Sequence, residues 1–161
     1  KVEGISPKRA DAMFQEPLLD YLIVEADGAA HRPVKAPAQH EPVIPSSATV
    51  VVALMGLEAM GKDLGEEMVF RPERFERITG LVPGERLTPE ILSRLFLSPK
   101  GLFKGSPPTA RLVAFLNKVD LVGEEQGARE LAGLVLKDAK SPIDRVVIGS
   151  VVKGRYAIIY P

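Results

Sequence analysis

The chain has no cysteine and no tryptophan, only two histidines, and no excess of either charge. Each shortage excludes something. Without cysteine there are no disulfides and no thiolate metal sites, which fits a reducing compartment, and we expect a cytoplasmic protein. His31 and His40 alone make a poor transition-metal centre. Lys and Arg number 21 against 21 Asp and Glu, so bulk electrostatics favours neither a nucleic-acid partner nor a membrane surface. No apolar run approaches the roughly 20 residues of a membrane-spanning helix, and no signal peptide is visible. What remains is 161 residues, enough for one domain with a real core. We read 1–161 as a single nucleotide-binding-type domain that begins, at Lys1, in mid-domain and is incomplete at its N-terminus.

Apolar runs organise the chain. Tyr21–Val24, Ala48–Met55, Arg111–Leu116 and Arg145–Ser150 are short and continuous, the pattern of strands buried on both faces of a parallel sheet. Tyr156–Tyr160 adds an edge strand. Helices are predicted after Ser6-Pro7, from Arg71-Pro72-Glu73 to Gly80, after Thr88-Pro89-Glu90, and over Gly123–Ala139. The fold class expected is α/β, three-layer, with a mostly parallel sheet. Residues 64–108 carry two helices with no chemical signature, and read as a helical insertion or lid.

The chemistry gathers where strands end. In open α/β sheets ligands lie beyond the carboxyl ends of the strands. Asn117-Lys118-Val119-Asp120 stands directly after an apolar run. A carboxylate at Asp120 suits the adjacent N1–H and amine of guanine, and adenine would leave it unpaired. Asn117 can tie neighbouring loops together, and the stem of Lys118 can lie over a base plane. The blander alternative is a polar turn in which Asp120 caps the next helix. Ser150, after the last strong strand, stands where a backbone contact to a base is made in GTPases.

A second constellation follows Tyr21–Val24. Glu25 and Asp27 offer carboxylate oxygens to a nucleotide-bound Mg²⁺, and Gly28 lets backbone approach a phosphate. Only one of the two acids is expected to face the ligand. His31, Arg32 and Lys35 follow in a proline-rich loop that runs to Pro45. His31 is a candidate proton carrier, and Arg32 and Lys35 are candidates to neutralise phosphate. Glu25, Asp27, His31 and Arg32 are therefore the candidate catalytic residues. Solvated loop residues are the alternative.

Gly56-Leu57-Glu58-Ala59-Met60-Gly61-Lys62-Asp63 matches the spacing of a phosphate-binding loop, but we read it as an impostor. The motif needs a hydroxyl after the lysine, and Asp63 would set a negative charge against phosphate. We expect a genuine phosphate loop upstream of Lys1.

Taken together, Val24-Glu25-Ala26-Asp27-Gly28-Ala29, Arg32-Pro33-Val34-Lys35-Ala36-Pro37, His40-Glu41-Pro42-Val43-Ile44-Pro45, Gly56-Leu57 with Gly61-Lys62, and Asn117-Lys118-Val119-Asp120 resemble the YqeC family. That family is described as accessory proteins of selenium-dependent molybdenum hydroxylases. The resemblance implies a P-loop NTPase-like fold whose glycine-rich phosphate loop lies outside this chain. It also implies GTP (or ATP) with Mg²⁺ as cofactor, NTP hydrolysis when that loop is present, and a molybdoenzyme or molybdenum cofactor as partner. Glu25-x-x-Gly28 more distantly resembles the Glu-x-x-Gly of nickel-inserting GTPases. Two other functions stay open: a transferase or kinase acting on a pterin-type cofactor, and a non-catalytic binding module for a partner enzyme.

Overall fold

The computed structural model describes residues 3–123, 125–139 and 141–161. Its elements in chain order are α1 (Pro7–Phe14), β1 (Val34–Lys35), β2 (Val50–Gly56), β3 (Val69–Phe70), α2 (Pro72–Thr79), α3 (Pro89–Leu97), β4 (Arg111–Asn117), α4 (Gln126–Lys137), β5 (Arg145–Ser150) and β6 (Arg155–Ile159). Local chemistry accounts for most boundaries. Ser6 and Thr88 accept hydrogen bonds from the backbone of Arg9 and Ile91, and each is followed by proline in the first helical turn. Helix α2 closes on Gly80, whose φ of 79° no other residue adopts as cheaply. Helix α4 lies inside the expected Gly123–Ala139 span, of which residue 124 falls outside the described residues.

Strands β2, β4 and β5 are parallel neighbours, and β6 joins the far edge antiparallel, giving the order β2-β4-β5-β6. Strands β1 and β3 form a separate parallel pair. The molecule is thus α/β, with one mixed sheet. Ala53, Met55, Leu112, Ala114, Leu116, Val146 and Ile148 point to one face. They share a single core with Phe75 of α2, Leu92, Leu95 and Phe96 of α3, and Leu131 and Val135 of α4. Burying each large side chain there is worth about 1.5–3 kcal/mol. The helices of residues 64–108 therefore contribute directly to the main core.

Two expectations are corrected. Tyr21–Val24 is not a strand: no ladder reaches it, and Tyr21 and Ile23 are 88% and 94% exposed. An apolar run marks a wish for burial, and here no neighbouring strand satisfies it. The third layer is also missing among the described residues. Val52, Leu54 and Ile158 on the opposite sheet face stay about half exposed, and Val113, Phe115 and Val147 only half-buried. Helix α1 is anchored by Asp11, which accepts from the hydroxyls and backbone of Ser46 and Ser47.

Candidate functional site

At the carboxyl ends of β4 and β5 the side chains of Asn117, Lys118, Asp120 and Ser150 come together. Gly56 ends β2 in register with Asn117, so the ends of β2 and β4 lie side by side. Asn117 Oδ1 accepts from the Val151 backbone N–H at 3.1 Å, the loop-tying role predicted for it. Lys118 turns the chain with a φ of 64°, and its ammonium pairs with the carboxylate of Glu58. The next residues form a short 3-10 turn, Val119–Leu121, and α4 begins only at Gln126, so Asp120 does not cap it. The carboxyl of Asp120 is instead held below its usual range, first by a hydrogen bond from the Ser150 side chain and further by the charges of Lys153 and Arg155. Ser150 is buried, and its Oγ also accepts from the Lys153 backbone N–H at 3.2 Å. A cavity of about 220 Å³ lined by Val119, Arg129, Ile148, Gly149 and Tyr156 lies nearby, with none of Asn117, Lys118, Asp120 and Ser150 in its lining.

The second constellation is built around Lys35. Its side chain is only 6% exposed, and its Nζ lies 3.0 Å from Asp27 Oδ2, 3.1 Å from Glu41 Oε2 and 2.8 Å from the carbonyl of Gly28. Glu41 also accepts from both guanidinium nitrogens of Arg71 and from the Ala38 N–H at 2.9 Å. Partial burial alone would raise the Glu41 carboxyl, but the hydrogen bonds from Arg71, Ala38 and Lys35 outweigh it and hold the group down at about 2. Two cations and two carboxylates thus neutralise one another under the proline-rich loop. That loop is not a solvated excursion: Val34, Lys35, Ala36 and Ala38 are buried, and β1 within it pairs with β3.

The remaining candidates sit around this clasp. Glu25 is exposed, with Oε1 directed toward Gly28. It does not stand at the end of a strand, and neither does Asp27; the segment is held by Lys35 and by the Val43 N–H, which donates to the Ala26 carbonyl. His31 is exposed with a φ of 60°, and Arg32 donates from Nε to the carbonyl of Glu66. Among the described residues no group of three or more His, Asp or Glu could hold a metal ion alone.

The Gly56–Lys62 stretch is not a phosphate loop in shape. A 3-10 turn, Leu57–Ala59, follows Gly56, and the next element is β3, with no helix to complete the anion site. The stretch does supply Glu58, which sequence reasoning missed. A Cβ on Gly56 would stand 2.3 Å from Glu58 Oε2, so glycine there is what lets the carboxylate fold back toward Lys118. Glu41 and Arg71 were missed too. The only signal for Arg71 was its place before Pro72, where its φ of 68° now turns the guanidinium toward Glu41.

The first constellation lies at the carboxyl ends of the parallel strands, and the second adjoins the end of β2. The link between them is Pro33, whose carbonyl accepts from the Gly56 N–H at 2.8 Å, beside Asn117. The 220 Å³ cavity takes its lining from neither the Glu25–Lys35 segment nor Asp120.

Comparison with known proteins adds the following. Residues 1–73 match the family model described as YqeC protein. A curated relative from Escherichia coli (strain K12), named "Uncharacterized protein YqeC", is 42% identical over 118 residues, covering 73% of this chain and 46% of the relative. The chain therefore spans about half the length of the curated relative it matches. No solved structure matches. No helix among the described residues is long and apolar enough to cross a membrane.

Proposed function

The chain belongs to the YqeC family, and from that premise we propose that it is the base-reading part of a nucleotide-dependent accessory factor of P-loop NTPase type, selective for GTP, that serves a molybdenum hydroxylase or its cofactor. One observation carries the reading. Asn117, Asp120 and Ser150 converge at the carboxyl ends of adjacent parallel strands, with Asn117 bracing the turn after β5 and Asp120 kept ionised. An ionised carboxylate held by one hydroxyl keeps acceptor sites for the two donors on a guanine edge. The Lys118 ammonium pairs with Glu58, which sets the direction of its stem.

The acidic turn fits the phosphate side of such a ligand in a restricted way. Asp27 is already paired with Lys35, whereas Glu25 is exposed beside Gly28. One carboxylate is adequate for Mg²⁺, which keeps most of its ligands as water and phosphate oxygens. When bound, the ion would neutralise phosphate charge, and Glu25 would hold it. Hydrolysis would need a phosphate loop that residues 1–161 do not contain. The neutralised Lys35–Asp27–Glu41–Arg71 clasp favours a second reading, in which this loop holds a partner enzyme and performs no chemistry.

The test is Asp120→Asn in a YqeC polypeptide carrying this chain, with guanine, adenine and xanthine nucleotides titrated against it. Loss of the preference for guanine is expected, because the amide puts a donor where the two donors of the guanine edge need acceptors. An unchanged preference overturns the assignment.

A further inference from the structure

We propose that the outer edge of β2 is the seat of a further parallel β-strand, drawn from the part of a YqeC polypeptide that this chain does not span. The inference does not depend on the nucleotide reading. Arg111 donates to the carbonyl of Thr49 at 3.0 Å, so the odd-numbered backbone groups of β2 face β4. Alternation then turns those of Val50, Val52, Leu54 and Gly56 outward. Of these, Gly56 N–H meets the Pro33 carbonyl; the other three have no outer backbone partner among the described residues. Their side chains, on the open sheet face, are 44%, 53% and 56% exposed.

Natural sheets guard an edge of this kind with a charge, a proline or a bulge. Residues 48–55, Ala-Thr-Val-Val-Val-Ala-Leu-Met, carry no charge and no proline, and β2 pairs with β4 without a break in register. A sequence written this way is written for the interior of a sheet. The occupant's direction follows from its neighbours, because β2, β4 and β5 are all parallel.

The same strand accounts for Tyr21–Val24. That run has the composition of a buried strand, yet Leu18, Tyr21 and Ile23 are 88–95% exposed. It belongs to a segment tethered to the outer end of β2 through Pro33. A strand seated on β2 brings its own free edge, and Tyr21–Val24 is the apolar segment at hand to pair with it. Parallel neighbours need a crossover of a dozen or more residues. This chain covers 46% of the E. coli relative, and the remainder is ample for a strand and its crossover. The carboxyl end of the added strand would open between Gly28 and Gly56, joining the two constellations into one cleft.

Hydrogen exchange read by mass spectrometry tests this. In residues 1–161 alone the Val52 and Leu54 amides should exchange as open-edge amides. In the intact E. coli relative the peptide aligned with β2 should be protected about 10-fold or more beyond that. A crystal structure of that relative should show the protecting strand parallel to the counterpart of β2 and drawn from outside the matched region. Equal exchange in the two proteins overturns the proposal. So does protection in residues 1–161 that rises with protein concentration, which would make a second copy the occupant, and so does a bare or antiparallel-paired edge in the crystal.

Discussion

Asn117 Oδ1 accepts the Val151 N–H at 3.1 Å, across the ends of two adjacent parallel strands. The bond lets one side chain fix the turn that carries Ser150, and through Ser150 the carboxyl of Asp120. Asn117→Ala should therefore do two things at once. It should lower stability by about 1 kcal/mol, the usual net worth of such a bond, read as a shift in the urea midpoint. It should also loosen residues 150–154, read as faster exchange of the Val151 amide. A stability loss with Val151 exchange unchanged would show that the turn holds itself.

Lys35 is expected to be the most sensitive charged position in the proline-rich loop. Its ammonium is buried between Asp27 and Glu41, and removing one partner of a buried pair leaves the other charge uncompensated. Lys35→Met should cost roughly 3–5 kcal/mol, whereas replacing both partners with apolar groups of similar volume costs far less. Lys104 is a suitable control, because its ammonium meets carbonyls, those of Ala38 and Gln39, and no carboxylate among the described residues. Lys104→Met should cost less than half as much by the same denaturation assay.

Glu41 sets a pH dependence with a definite sign. Its carboxyl is depressed in the folded state from 4.5 to about 2. The unfolded chain therefore binds the proton first, and the stabilisation is fully present above about pH 4.5 and is lost as pH falls toward 2. Asp11, lowered to about 2 chiefly by the Ser47 hydroxyl, contributes in the same direction. Glu41→Gln should be less stable than the parent at pH 6 and should flatten the fall in melting temperature below pH 4.5. A parallel pair of curves would mean that Glu41 is not the titrating group.

Much of this architecture is legible in the sequence, and the illegible parts share a cause. The runs that became β2, β4 and β5 were readable because each is apolar and ends at residues that cannot continue a buried strand, Gly56, Asn117 and Ser150. The starts of α1 and α3 were readable because capping is local. Tyr21–Val24 has the same apolar signature and fails as a strand, since periodicity reports which residues favour burial and not whether a neighbour exists to bury them. The clasp was half readable. Asp27 and Lys35 were singled out as separate ligands for phosphate and metal, but their pairing is made by chain folding, and Arg71 reaches Glu41 from 30 residues away. Glu58 and Lys118, 60 residues apart, were hidden for the same reason.

The Glu58–Lys118 pair gives the last prediction, because its structural and functional worth should differ. Lys118 keeps 45% of its side chain exposed, so solvent screens the pair and its coupling to stability should be no more than about 0.5 kcal/mol in a double-mutant cycle. If Lys118 lies over a purine, the direction of its stem matters more than its charge. Glu58→Gln should then weaken guanine nucleotide binding by about 3- to 10-fold, the kinetic and thermodynamic cost of a stem left free to wander. Lys118→Met, which keeps the stem and removes the charge, should lose less affinity than Lys118→Ala. Isothermal titration of the three variants decides the matter: equal losses for Met and Ala would mean that charge alone is felt at this position, and that Glu58 aligns nothing.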